Sequence, residues 1–484
     1  MQDSYRKMNK YKKFLYNYWS IILIMVLTPF LLYSILPILP THDDWAGTTK
    51  PDFNPFFIKE RFLFYGYHWR PFDTFIGYIV GLNPQQLYPA FNHYVVVIGH
   101  AICAYTVYLL LTTLSFNRIS KNIAVVYFFI APATMATVTA IDSMNQVYAL
   151  IFGIVSFLIY VKGEKYHYFI WITTIFIATW WKENGLMWAL IGPILAYGFD
   201  FIDKRKFKKD ICIGIGIMVV YALAILLLPK DIIIHPEYEP GPIKMVKNFI
   251  KFLFSAFITV DYIYLLHKPS RNLLAACITF FLTLPFIYYI FIRKCNYFLN
   301  RKMVCTILCL LIAVGPHIGT VFSMMHIYAG LAMLAIIIAF SINRYEEHIK
   351  PIILSFVFFC LAAIIIDLHL ILSSVESGLV GKNMAQEAIR KTGKPVNSVY
   401  VVIIEDDYPK LSSFCVIPNE AFGWGLASRY ETNYKWPKII CDTTISRTPD
   451  AIIKAQQLSR QLLRDNNMDC VWIVNHKDIE VIKK

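Results

Sequence analysis

Two adjacent acids, Asp43 and Asp44, stand between His42 and Trp45 in "PTHDDWAGTTKP" (40–51). They follow an almost uncharged run, 18–40, long enough to cross a bilayer. Like charges side by side repel and, brought close enough, shift each other's pKa. Aromatic residues crowd the same loop in "FLFYGYHWRPF" (62–72), which also carries Arg70, so the acidic pair reads as built for a ligand. A third acid, Asp142, lies in "TAIDSMNQ", and a cation–acid pair, Lys182 and Glu183, follows two tryptophans in "WWKENG" (180–185). Taken singly, Asp142 and Glu183 read as solvated turn residues. An ionisable group costs about 2.5–3.5 kcal/mol at the bilayer centre and less near the interface, which favours pairing and marks such groups as functional candidates.

The elements that must position these residues are membrane helices. The chain has 484 residues, is 57% hydrophobic and 16% aromatic, and has a mean hydropathy of +0.51. Apolar runs at 18–39, 88–114, 122–140, 146–161, 166–181, 185–200, 211–229, 271–292, 303–319, 324–342 and 351–373 predict about eleven spans. Basic links, among them "YRKMNKYKK", "DKRKFKK" (203–209) and "RKCNYFLNRK" (293–302), put the N-terminus and these links in the cytoplasm. The formal charge of +14 is thereby explained by topology, and nucleic acid is excluded as a partner. The run 249–266 is apolar enough to cross, but counting it would invert the last basic links. It reads as an interfacial or re-entrant helix on the outer side.

The candidate residues then share the outer face. So do His317 and His326, which flank "GPHIGTVFSMMH" and read either as ligand contacts or as hydrogen-bonded histidines at helix ends. Asp367 and His369 are the main ionisable residues inside a span. After residue 375 the chain turns polar. An amphipathic start (384–391), strand-like runs at 398–404, 437–442 and 470–475, and a helix-like stretch from Pro449 to Asn467 predict a small extracytoplasmic α/β domain, 376–484, after a membrane domain, 1–375. The ten cysteines form no CxxC pair. No Gly-rich phosphate loop is present, which argues against a nucleotide-fuelled transporter.

In the order and sidedness of these motifs the chain resembles the GT-C fold glycosyltransferases, polytopic enzymes that take sugars from polyprenyl-phosphate donors. The carriers of the resemblance are the acidic pair Asp43-Asp44 in the first outer loop, Asp142 in the second, and Lys182-Glu183 at the outer end of a later helix. The resemblance implies an all-α polytopic bundle in the cell (inner) membrane and transfer to a hydroxyl of a glycan, lipid or protein acceptor, with inversion. Asp44 or Asp43 would take the acceptor proton. Lys182 and Arg70 would meet the donor phosphate. Glu183 would orient Lys182 or reach a sugar hydroxyl. Asp142 would bind sugar or acceptor, or share a divalent ion with the pair. Magnesium or manganese would suit such ligands, though the sequence does not demand a metal. A carrier or flippase for lipid-linked glycans is the competing class, but a carrier places its ionisable groups at mid-membrane.

Overall fold

The computed structural model describes residues 2–38, 70–72, 90–140, 143–163, 166–227, 241–258, 271–293, 300–319, 323–344, 349–394, 396–405, 438–465, 468–475 and 478–484. The first helix, α1, runs Gln2–Ile35, and α2 spans Ala90–Thr113. Next come α3 (Arg118–Ile130) and α4 (Pro132–Val138), bent by 52° at their junction. Pro132 explains the break: it cannot donate to the ladder, and it holds Ala131 in the extended region, at φ −59 and ψ 130. Helices α5 (Met144–Lys162), α6 (His167–Trp181), α7 (Trp188–Gly198) and α8 (Lys204–Leu227) follow, with a 3-10 turn, Glu183–Met187, between α6 and α7. The remaining bundle is α9 (Pro242–Ser255), α10 (Arg271–Ile287), α11 (Arg301–Ile318), α12 (Tyr328–Asn343) and α13 (Ile349–Thr392).

Six helices among the described residues are long and apolar enough to cross a membrane, or seven if the bent α3–α4 pair counts as one span. The protein is an integral membrane protein. Among the described residues the expected count of about eleven is not reached on length and apolarity. The runs at 166–181 and 185–200 form helices of only 15 and 11 residues, and Pro193 lies inside the second. The run at 271–292 ends in a π-helical turn, Tyr288–Ile292. Of 249–266, residues up to 258 are described, and they form the end of α9 and a turn.

Helix α12 is the axis of the bundle. Every residue from Tyr328 to Ile342 is buried, as expected of a helix that is apolar all round. Its Tyr328 hydroxyl meets His100 Nδ1 of α2 at 2.6 Å, while His100 Nε2 meets the Phe129 carbonyl of α3 at 3.0 Å. Both polar tips are thereby satisfied inside an apolar core. Trp188 of α7 seats against α5 because residue 153 is glycine: a Cβ there would lie 2.1 Å from the indole Nε1. At one end of α5, the Asp210 carboxylate is buried and accepts from the hydroxyls of Tyr160 and, at 2.7 Å, Tyr168.

Helix α13 continues for 44 residues, straight through position 376 where the sequence places the start of a separate domain. Beyond it lie strands β1 (Ser398–Ile404), β2 (Lys438–Ile445), β3 (Cys470–Asn475) and β4 (Asp478–Lys483), with helix α14 (Ala451–Asp465) between β2 and β3. The sheet order is β2-β1-β3-β4; β1 is parallel to both neighbours, and β3 and β4 are antiparallel. Val399, Val401 and Trp472 face Met384 and Ala388 of α13, and Val402 and Ile473 face Ala455 and Leu463 of α14. Both faces of β1 are covered, which is why it reads as a continuous apolar run.

Candidate active site

The path of the chain from α6 into α7 sets the position of Lys182 and Glu183. Lys182 leaves α6 in an extended conformation, at φ −157 and ψ 145, and its backbone N–H still donates to the Ala178 carbonyl at 3.2 Å. The Gly185 N–H then donates to the Lys182 carbonyl at 2.9 Å, closing the 3-10 turn. That turn folds so tightly onto α6 that a Cβ on Gly185 would lie 2.3 Å from the Ala178 carbonyl carbon. Only glycine permits this approach.

The turn delivers its side chains to a polar cluster. Lys182 is 6% exposed, and its Nζ lies 3.4 Å from Asn145 Oδ1 in the first turn of α5. Glu183 is gripped by Arg70 through a two-pronged contact, Nε to Oε1 at 2.8 Å and Nη2 to Oε2 at 2.7 Å. The carboxylate and guanidinium planes match in this geometry, the strong form of such a pair. Phe72, two residues after Arg70, packs on Trp180 and Trp181 with ring centroids 5.9 and 5.8 Å apart, and Tyr148 stacks on Trp181 at 4.6 Å. This aromatic wedge fixes residues 70–72 against α6.

His317, at the end of α11, and His326, just before α12, stack at 4.7 Å with planes 19° apart. The charges of Lys182, Glu183 and Arg70 all act on both rings. Tyr221 of α8 lies within electrostatic reach of Glu183 and Arg70. The Ser143 hydroxyl meets Met325 Sδ at 3.1 Å, tying the entry of α5 to the His326 turn. Five of the residues singled out in the sequence (Arg70, Lys182, Glu183, His317 and His326) therefore share one electrostatic neighbourhood. The fork of Arg70 holds Glu183, and Lys182 contacts Asn145. Asp43, Asp44 and Asp142 lie outside the described residues.

Asn145, Gln146 and Asn184 also enter the cluster, and the sequence reading did not single them out. Their signal is present: "SMNQ" and "KENG" put amides directly beside apolar helices, where each needs a partner. Among the described residues no group of three or more His, Cys, Asp and Glu side chains converges to hold a metal ion.

No protein-family model matches the chain, and no curated protein matches it. Among solved structures it is similar to ArnT from Cupriavidus metallidurans, crystallised with undecaprenyl phosphate. That similarity covers 96% of this chain and 98% of that one, at 10% identity and a TM-score of 0.47.

Proposed function

We propose that this protein is a membrane glycosyltransferase that moves a sugar from a polyprenyl-phosphate donor to an acceptor hydroxyl at the outer face of the membrane. The observation that carries the reading is the buried Lys182, held beside the Arg70–Glu183 fork and the His317–His326 stack. Cations gathered at the end of an apolar helix, at headgroup depth, suit a lipid-linked phosphate. In transfer, the acceptor oxygen attacks the anomeric carbon as its proton passes to Asp44 or Asp43. The bond from that carbon to the phosphate oxygen breaks, and the lipid phosphate leaves with its added charge facing Lys182. Displacement in a single step inverts the anomeric carbon. His317 and His326 border the departing group. Asp142 would serve the sugar or acceptor, or would help the acidic pair hold magnesium or manganese, which would supply positive charge to the departing phosphate.

In this reading the bundle crosses the membrane about eleven times. Its N-terminus is cytoplasmic, and the α/β unit after α13 lies outside. The carrier alternative draws its support from Asp367, which is buried in a spanning helix with Oδ1 making no hydrogen bond among the described residues.

The test is a transfer assay with purified protein and a panel of polyprenyl-phosphate sugars, run beside a donor-binding measurement. Asp43→Asn or Asp44→Asn, whichever removes the base, should lower turnover about 10²–10⁴-fold with donor binding kept. Lys182→Met should lower both affinity and turnover. Full activity in both Asn variants would remove the acidic pair from catalysis. Lipid-linked glycan flux across vesicles without transfer would favour the carrier.

A further inference from the structure

Gln146 and Asn184 play no part in the reaction as drawn above, yet they form a second polar device at the same place. Gln146 lies in the first turn of α5 and Asn184 in the 3-10 turn after α6. The Asn184 side-chain amide donates to Gln146 Oε1 at 2.8 Å. Both are deeply buried, at 1% and 7% exposure. The contact uses one N–H group and one carbonyl. Gln146 Nε2 and Asn184 Oδ1 make no hydrogen bond among the described residues. Buried amide atoms are ordinarily satisfied, so this remainder is unusual.

The chemistry of the remainder does not depend on how the two amides are turned. Reversing both exchanges the atoms in contact and again leaves one NH₂ and one C=O, whereas reversing one sets like groups against each other. A donor and an acceptor left over on two amides in contact suit a group that accepts and donates through one atom, which is a hydroxyl. A carbonyl would leave the amide oxygen unmet, and an ammonium would leave the NH₂ unmet. The location narrows the class further. Asn145, the chain neighbour of Gln146, contacts Lys182. Glu183, the neighbour of Asn184, is the partner of Arg70. In a lipid-phosphate sugar, the sugar follows directly on the phosphate that Lys182 would meet.

We propose that the Gln146–Asn184 pair is a sugar-hydroxyl subsite that reads one hydroxyl of the transferred sugar and so sets donor specificity. The proposal rests on the transferase reading. It needs no new chemistry, since the pair binds and does not react.

The experiment uses the full-length protein in lipid, with a donor that supports transfer and its series of monodeoxy analogues. For wild type, one analogue should fall about 10- to 100-fold in kcat/KM, the cost of leaving buried amide groups unmet. Gln146→Met and Asn184→Leu keep shape and remove the hydrogen bonding. Each should lose a similar factor on the complete sugar and bring the ratio for that one analogue close to unity, while ratios for the other analogues stay as in wild type. These ratios are taken on one preparation, so the folded fraction cancels. Gln146→Asn, which keeps the amide but shortens its reach, covers the case in which the Met variant does not fold, and it should flatten the same ratio. Unchanged discrimination in the variants, or a wild type insensitive to every deoxy analogue, would mean the pair binds only water and would overturn the subsite while leaving transfer intact. If wild type transfers no sugar at all, the transferase reading falls and the subsite falls with it.

Discussion

At the scale of single residues, the Arg70–Glu183 fork is the feature that separates a working cluster from scattered surface charges. The side chains are 19% and 32% exposed, so the pair is neither fully solvated nor fully buried. Exposed ion pairs contribute little, but removing one partner from a half-buried pair leaves the other poorly solvated. Arg70→Lys should therefore not be conservative, because an ammonium cannot make both contacts in one plane. In a double-mutant cycle, Arg70→Met and Glu183→Gln should show a coupling of about 1–2 kcal/mol in thermal unfolding, the range for residues in direct contact. Additive effects would mean the fork is an incidental surface contact. Each residue was visible in the sequence as a candidate, but their partnership was not. They are 113 positions apart, and no local pattern reports a contact across that distance.

At the scale of elements, the site depends on how α6 stops. Gly185 lets the 3-10 turn lie against the last turn of α6, and that turn aims Lys182 at Asn145 and Glu183 at Arg70. Gly185→Ala should force the turn away from Ala178, at a cost of about 1–3 kcal/mol for overpacking. Turnover should drop with it, while the far end of the bundle should be untouched. A lowered melting temperature with full transfer activity would show that the site tolerates displacement of this turn. The sequence marked the turn through two tryptophans and a charge pair, yet it treated 185–200 as a full span. Hydropathy does not register that the helix starts only at Trp188, after the turn has used Glu183–Met187. A similar limit applies to α13. The composition changes near residue 376, but nothing in the backbone breaks there. Met384 and Ala388 carry the helix on into the core under the sheet. The strands themselves were legible, because runs such as "SVYVVII" are β-branched, apolar and bounded by turn residues.

At the scale of the whole molecule, polar chemistry gathers at the two ends of an apolar bundle. Asn145 and Tyr160 lie on the same helix α5, about 22 Å apart at 1.5 Å per residue. One end holds the Lys182 cluster. The other holds Asp210, clasped by Tyr160 and Tyr168, with Lys206 and Lys209 over the tyrosine rings. The basic end should be cytoplasmic, and α14, within the polar tail, should lie on the opposite side with the Lys182 cluster. Two positions report on this. Lys208 lies in the basic link, and Ile453 is 58% exposed on α14. In a background without the other cysteines except Cys470, an impermeant maleimide should label Ile453→Cys in intact cells and Lys208→Cys only in inside-out vesicles. Cys470 should stay silent in both. Burial in the sheet pushes its thiol up to about 11, so at neutral pH almost no thiolate forms until the fold opens. Denaturant should release that reactivity, which makes Cys470 an internal control for folding. Labelling of Ile453→Cys from the cytoplasmic side alone would place the tail inside, separate it from any outer-face acceptor, and overturn the proposed orientation of the enzyme.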